Sequence, residues 1–193
     1  MRVIMEADWE VEIGGDAPLL DTCWPGLIDL REHPDAVNSM PEVQQLPALG
    51  QILQILNRAS SPVRTSKCDI WQLAEIDPLE FELPGEAGMV ALACYIDLLK
   101  AESPPWLSHE ETVEWSKSLC VRLQSCPLRG CRADLIVRTA ICKGTLNGFG
   151  VTAYLSAAGA DPNHARRQLS IALIAFADTV CGLAVPERTS KLQ

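Results

Sequence analysis

Acids, bases and aromatic rings fall at alternate positions of several apolar segments, a spacing that can gather them on one surface. Lys67, Asp69 and Trp71 alternate along 63–73, and Ala93, Tyr95 and Asp97 along 89–98. Asp134, Ile136 and Arg138 alternate along 133–141, and Thr152, Tyr154 and Ser156 along 149–156. Successive side chains of a strand point to opposite faces, so each set shares a face if these segments are strands. Two close carboxylates can do acid–base work or hold a divalent ion, a tyrosine can donate a proton, and an arginine can clamp an anion. The plainer expectation is structural pairing, with Lys67 and Arg138 neutralising the aspartates. Asp134 and Arg138 share a strand face with Ile136 between them, which allows a direct pair.

Other chemistry-bearing residues give weaker signals. In Lys67-Cys68-Asp69 a lysine next to a cysteine can lower a thiol pKa. Strand alternation, however, sends Cys68 to the face opposite Lys67 and Asp69, where a core thiol is expected. Of three histidines, His33 precedes a proline, while His109 and His164 are expected in helix first turns at matching positions. A helix N-terminus would keep them neutral, as bases or metal ligands; exposed polar residues at helix starts are the simpler expectation. The eight cysteines include no Cys-x-x-Cys, and Cys120, Cys126 and Cys131 lack zinc-ribbon spacing, so no metal site is expected. The stretch 143–150 is glycine-rich but lacks the Walker arrangement of Lys-Ser/Thr after the second glycine, which leaves a hairpin loop and no identified cofactor.

The elements that must position these residues are legible from periodicity. Trp9, Val11 and Ile13 alternate with Asp8, Glu10 and Glu12, as in a half-buried strand ended by Gly14-Gly15-Asp16. Residues 16–40 read as irregular, with a turn at Trp24-Pro25-Gly26 and a short strand at 27–30. Leu49, Ile52, Leu53 and Leu56 form one helical stripe behind Pro47. Strands follow at 63–73 and 89–98, separated by an acidic, proline-interrupted loop at 77–88. Ser108-His109-Glu110-Glu111 is a capping box for a helix to about 124. Strands at 133–141 and 149–156 flank Asn147-Gly148, a hairpin-turn signal. Asp161-Pro162 opens a last helix to about 180.

The order β-α-β-β-α-β-β-α predicts an α+β two-layer sandwich. A mostly antiparallel sheet of about five strands should carry helices on one face, in ferredoxin-like order or as tandem ββα units. The helix-packed face is then Trp9, Val11 and Ile13; Val90, Leu92, Cys94, Ile96 and Leu98; Leu135, Val137, Thr139 and Ile141; Phe149, Val151, Ala153 and Leu155; with Cys68 and Ile70. The opposite face carries Lys67, Asp69, Trp71, Tyr95, Asp97, Asp134, Arg138, Thr152 and Tyr154, together with Glu10 and Glu12. The chain has only two tyrosines, Tyr95 and Tyr154, in similar strand settings before capped helices, which suggests an internal echo. Aromatic and polar groups mixed on a flat face suit an interface or a ligand site.

Composition bounds the function. The 193 residues fit one domain, expected over 1–185 with a polar tail at 186–193. With a net charge of −9 and no basic cluster, neither nucleic acid nor an anionic membrane is an expected partner. The N-terminal stretch has acids where a signal peptide needs an apolar run, and no segment approaches a membrane span, so a cytoplasmic protein with reduced cysteines is expected. The resulting expectation is a non-enzymatic, homodimeric binding module that uses the tyrosine-bearing face for a partner or small molecule. The alternative is a small enzyme with an acid/base site of Asp, Tyr, Lys and Arg there.

Overall fold

The computed structural model describes residues 1–7, 27–84, 88–102, 108–142 and 145–183, with 7, 141, 142 and 145–147 described for the backbone alone. Five strands form one mixed sheet in the order β1-β4-β5-β3-β2. They are β1 (Arg2–Ala7), β2 (Val63–Gln72), β3 (Val90–Lys100), β4 (Cys131–Cys142) and β5 (Thr145–Gly159). Only β1·β4 is parallel; β4·β5, β5·β3 and β3·β2 are antiparallel. Helices α1 (Pro41–Gln45), α2 (Pro47–Asn57), α3 (His109–Gln124) and α4 (Pro162–Cys181) complete an α+β two-layer fold.

The core lies between sheet and helices. Leu92, Cys94, Ile96 and Leu98 of β3 join Leu135 and Val137 of β4 and Val151, Ala153 and Leu155 of β5 in one buried cluster. Helix α4 contributes Leu169, Leu173 and Phe176, and α2 contributes Leu49, Ile52, Leu53 and Leu56. The expected periodicities therefore select the inner face. Helix starts also follow the sequence signals: Ser108 Oγ accepts from Glu111 N, and the Asp161 carboxylate accepts from His164 N.

Several expectations are corrected. The strand expected over Trp9, Val11 and Ile13, with Glu10 and Glu12 on its outer side, lies outside the described residues, as do the turn at 24–26 and the tail at 186–193. The first described strand is Arg2–Ala7, whose Arg-Val-Ile-Met-Glu-Ala does not alternate cleanly. No strand forms at 27–30, because Asp29 accepts hydrogen bonds from Arg31 N and His33 N and turns the chain. A 3-10 helix at Pro34–Ser39 follows, in a stretch read as irregular. Asn147-Gly148 is not the hairpin turn. Cys142 pairs with Thr145, so Asn147 and Gly148 lie inside β5, and the register shifts between Ala140 and Ile141, with Asn147 the extra residue of a bulge.

A second bulge shapes β2. Pairing with β3 shifts between Thr65 and Cys68, so Thr65, opposite Leu98, and Cys68, opposite Ile96, both face inward although three positions apart. Buried Asn57 locks this kink to the end of α2. Its amide nitrogen donates to Thr65 Oγ1 at 2.7 Å and to Leu53 O at 2.8 Å, while its oxygen accepts from Thr65 N at 3.0 Å.

Strand β5 meets α4 with no space to spare. A Cβ at Gly159 would stand 2.6 Å from Ala165 N and 2.9 Å from the His164 side chain. Gly159→Ala should therefore destabilise the fold by roughly 1–3 kcal/mol in urea unfolding; an unchanged midpoint would show that the first turn of α4 shifts freely.

Candidate functional site

The antiparallel register of β3 and β5 places Tyr95 directly opposite Tyr154. Asp69 lies opposite Tyr95 on β2, and Asp134 opposite Tyr154 on β4. One row of side chains thus crosses four strands as Asp69, Tyr95, Tyr154, Asp134. An antiparallel pair has a local two-fold axis normal to the sheet, and here it relates β2-β3 to β4-β5. Under it Lys67-Cys68-Asp69-Ile70-Trp71 corresponds to Arg132-Ala133-Asp134-Leu135-Ile136, a correspondence that only the register reveals. The helix-start histidines match less well. His109 is the first residue of α3, while His164 is the third of α4, behind Asp161 and Pro162.

Trp71 completes an aromatic cluster with the tyrosines. Ring centroids are 5.9 Å apart for Tyr95–Tyr154 and 6.3 Å for each contact to Trp71, with Trp71 and Tyr154 near edge-to-face at 80°. Such tilted contacts suit the aromatic quadrupole. All three rings are half-buried.

The expectation of a flat face is corrected. Ala91, Ala93, Asp97, Leu99, Ala140, Thr152, Ser156 and Ala158 all lie on this side and all are buried. At the end near the β2–β3 connection, the stretch 73–84 folds back over the sheet. Phe81 packs on Ala91 and Ala158, supported by Leu73, Ile76 and Leu83. An ion pair from Glu80 to Arg132 pins it across the strands. Between this stretch and the sheet lies a cavity of about 370 Å³. Trp71, Tyr154 and Asp134, all candidate residues, line it, and Arg132, Ser156, Glu6, Glu75 and Glu80 join them. Nothing in the local pattern singles out Arg132, Glu80 or Phe81, because only the fold-back of 73–84 brings them to the rings. A second hollow of about 280 Å³ lies beside the β2 bulge, with Lys67 and Tyr95 on its wall.

Charges pair differently from the expectation. Asp134 binds Arg132, Nε to Oδ2 at 2.8 Å, and not Arg138. Arg138 instead stands opposite Gly150, which offers no side chain, and its Nη2 donates to the Tyr154 hydroxyl at 3.4 Å. Burial raises the Asp134 carboxyl above its usual range; Arg132 opposes this, and Glu80 and Glu6 reinforce it. Lys67 and Arg138 act on Asp97 through their charge. Asp69 is exposed.

Asp97 is the most constrained of these groups, 1% exposed. Its Oδ1 accepts from Thr152 Oγ1 at 2.6 Å, while Oδ2 has no hydrogen-bond partner. Burial pushes its carboxyl up to about 6, against the hydrogen bond of Thr152 and the charges of Lys67 and Arg138. Burial also raises the Tyr95 phenol to about 12. The Cys68 thiol, partly buried against the core, is likewise pushed up to about 12, mainly by burial, which makes it a poor nucleophile. No cluster of three or more His, Cys, Asp or Glu able to hold a metal ion occurs among the described residues. His109 packs edge-on against Phe149, with ring centroids 5.4 Å apart. No protein-family model, curated protein or solved structure matches this chain.

Asp97 should govern the acid side of the stability profile. Its folded carboxyl, near 6, binds a proton more tightly than the unfolded one near 3.8. Its contribution is therefore full below the unfolded value and is lost as pH rises through the folded value. Urea unfolding between pH 4 and 7 should show about 2 kcal/mol lost from this group. Asp97→Asn should flatten that slope; a variant with the wild-type slope would assign it elsewhere.

Proposed function

We propose that this protein is a non-enzymatic binding module whose ligand enters the cavity between the tyrosine-bearing sheet face and the stretch 73–84. The observation that carries this reading is the cavity itself. About 370 Å³ is lined by three aromatic side chains, four aliphatic ones and six polar or charged ones. Small-molecule sites are likewise concave, with aromatic walls and polar groups that set orientation. Pairing of two copies through the same face has less support. That face is partly covered by its own chain, and the large exposed hydrophobics among the described residues, Ile28, Leu79, Val121, Ile171 and Ile174, lie outside the ring cluster. The described cysteines Cys68, Cys94, Cys120, Cys126, Cys131 and Cys181 are all free thiols, which fits the cytoplasm as the working compartment. Among the described residues no helix is long and apolar enough to cross a membrane.

A ligand-observed NMR screen with a mixed fragment set tests the reading. Hits should lose saturation transfer by about tenfold in Trp71→Ala and in Ser156→Phe, which fills the cavity from its floor. Hits indifferent to both variants would place binding elsewhere.

One observation favours an acid–base enzyme as a second reading: Asp97 is buried with one carboxylate oxygen unpartnered, and burial pushes its carboxyl up to about 6. Such a group could accept a proton if a substrate reached it. It ranks second because Asp97 is 1% exposed. Carbodiimide coupling of glycine ethyl ester to the native protein should label exposed Asp69; labelling of Asp97 as well would revive this reading, and its absence would remove it.

A further inference from the structure

The cavity walls carry more than shape. Trp71 and Tyr154, whose rings meet at 80°, both line the cavity. Arg132 is the only basic residue among the described residues lining the cavity, and both Glu80 and Asp134 already hold it. Glu6, on the edge strand β1, and Glu75, on the folded-back stretch, add negative charge with no ion pair among the described residues. The lining is therefore acidic in excess, and its rings lie beside that excess. A neutral ligand would leave the imbalance in place, and an anion would add to it.

We infer that the cavity accepts a small organic ammonium ion, whose charged end lies against the Trp71 and Tyr154 rings in the field of the surplus carboxylates. This rests on the cavity being the binding site. Alkylated ammonium groups suit such walls, because an aromatic face attracts a diffuse cation while tolerating its methyl groups. The carboxylates add attraction that salt weakens. Leu73, Phe81 and Ile136 leave an apolar surface for the remainder of the molecule.

The test compares choline with 3,3-dimethylbutan-1-ol, the same shape with carbon replacing the charged nitrogen. The full chain is titrated with each while the Trp71 indole and the two tyrosine rings are followed by NMR. Choline should bind about tenfold more tightly, and Glu6→Gln with Glu75→Gln should cut that preference to about twofold or less while leaving the alcohol's affinity unchanged. Raising salt to about 0.5 M should shrink the preference in the wild type. Equal affinity for both, with Trp71 and Tyr154 signals shifting, would overturn the cationic assignment and keep the cavity as a site. No shift of those signals by either compound would also overturn it, and the fragment screen then decides separately whether the cavity binds anything. Exposed Glu6 and Glu75 can be replaced without disturbing the core, so unfolding does not cloud the comparison.

Discussion

The register between β3 and β5 is the constraint from which the rest of the molecule follows. It sets Tyr95 against Tyr154, and it simultaneously aligns Cys94 with Leu155 and Ile96 with Ala153 on the inner side. A slip by one residue would send the rings into the helix layer and the core residues out. The row from Asp69 to Asp134 is thus held by the burial of the opposite face rather than by its own polar contacts. Those contacts are few: the Asp134–Arg132 ion pair at 2.8 Å, a 3.4 Å hydrogen bond from Arg138 to Tyr154, and ring contacts near 6 Å. The hydrophobic layer beneath does the positioning, because displacing it would expose many fully buried side chains at once.

Electrostatics divide the face into unlike ends. Near the fold-back, Arg132 anchors two carboxylates, so charge is paired across β4 and the covering stretch. Toward the other end, Asp97 is buried with a single hydrogen bond and only the more distant help of Lys67 and Arg138. An incompletely satisfied buried carboxylate is costly, and natural proteins seldom keep one without compensation. The aromatic cluster sits between the two ends and separates them with a half-buried, weakly polar strip.

Much of the fold was legible because burial on one side leaves a clear imprint. Alternation in 89–98 and 149–156 identified the inner residues, and the capping signals at Ser108 and Asp161 located two helices. The strand at 2–7 was less visible because an edge strand buries little and needs no strict alternation; Val3 and Met5 touch the core only in part. Asn147-Gly148 misled because the same dipeptide that favours a turn also tolerates a bulge, and local chemistry cannot distinguish them. The shared face of Tyr95, Tyr154, Asp69 and Asp134 followed from parity. The choice of Arg132 over Arg138 as the partner of Asp134 did not, since both satisfy parity and rotamer reach decides. The cavity was invisible for a different reason: its wall comes from 73–84, whose composition says loop and carries no statement of where the loop lies.

The local two-fold makes the two strand pairs near equals, yet among the described residues the connection seen to roof the tyrosine face belongs to one of them. In the second unit, Cys142 pairs with Thr145 and the chain reverses almost at once. In the first unit, the chain leaves β2 at Gln72 and returns only at Val90, long enough to fold back over its own sheet. Asymmetry of function can therefore arise on a near-symmetric scaffold without altering a strand. Loop length alone becomes the variable, and transplanting a longer connection between β4 and β5 is the natural way to build a second chamber at the other end.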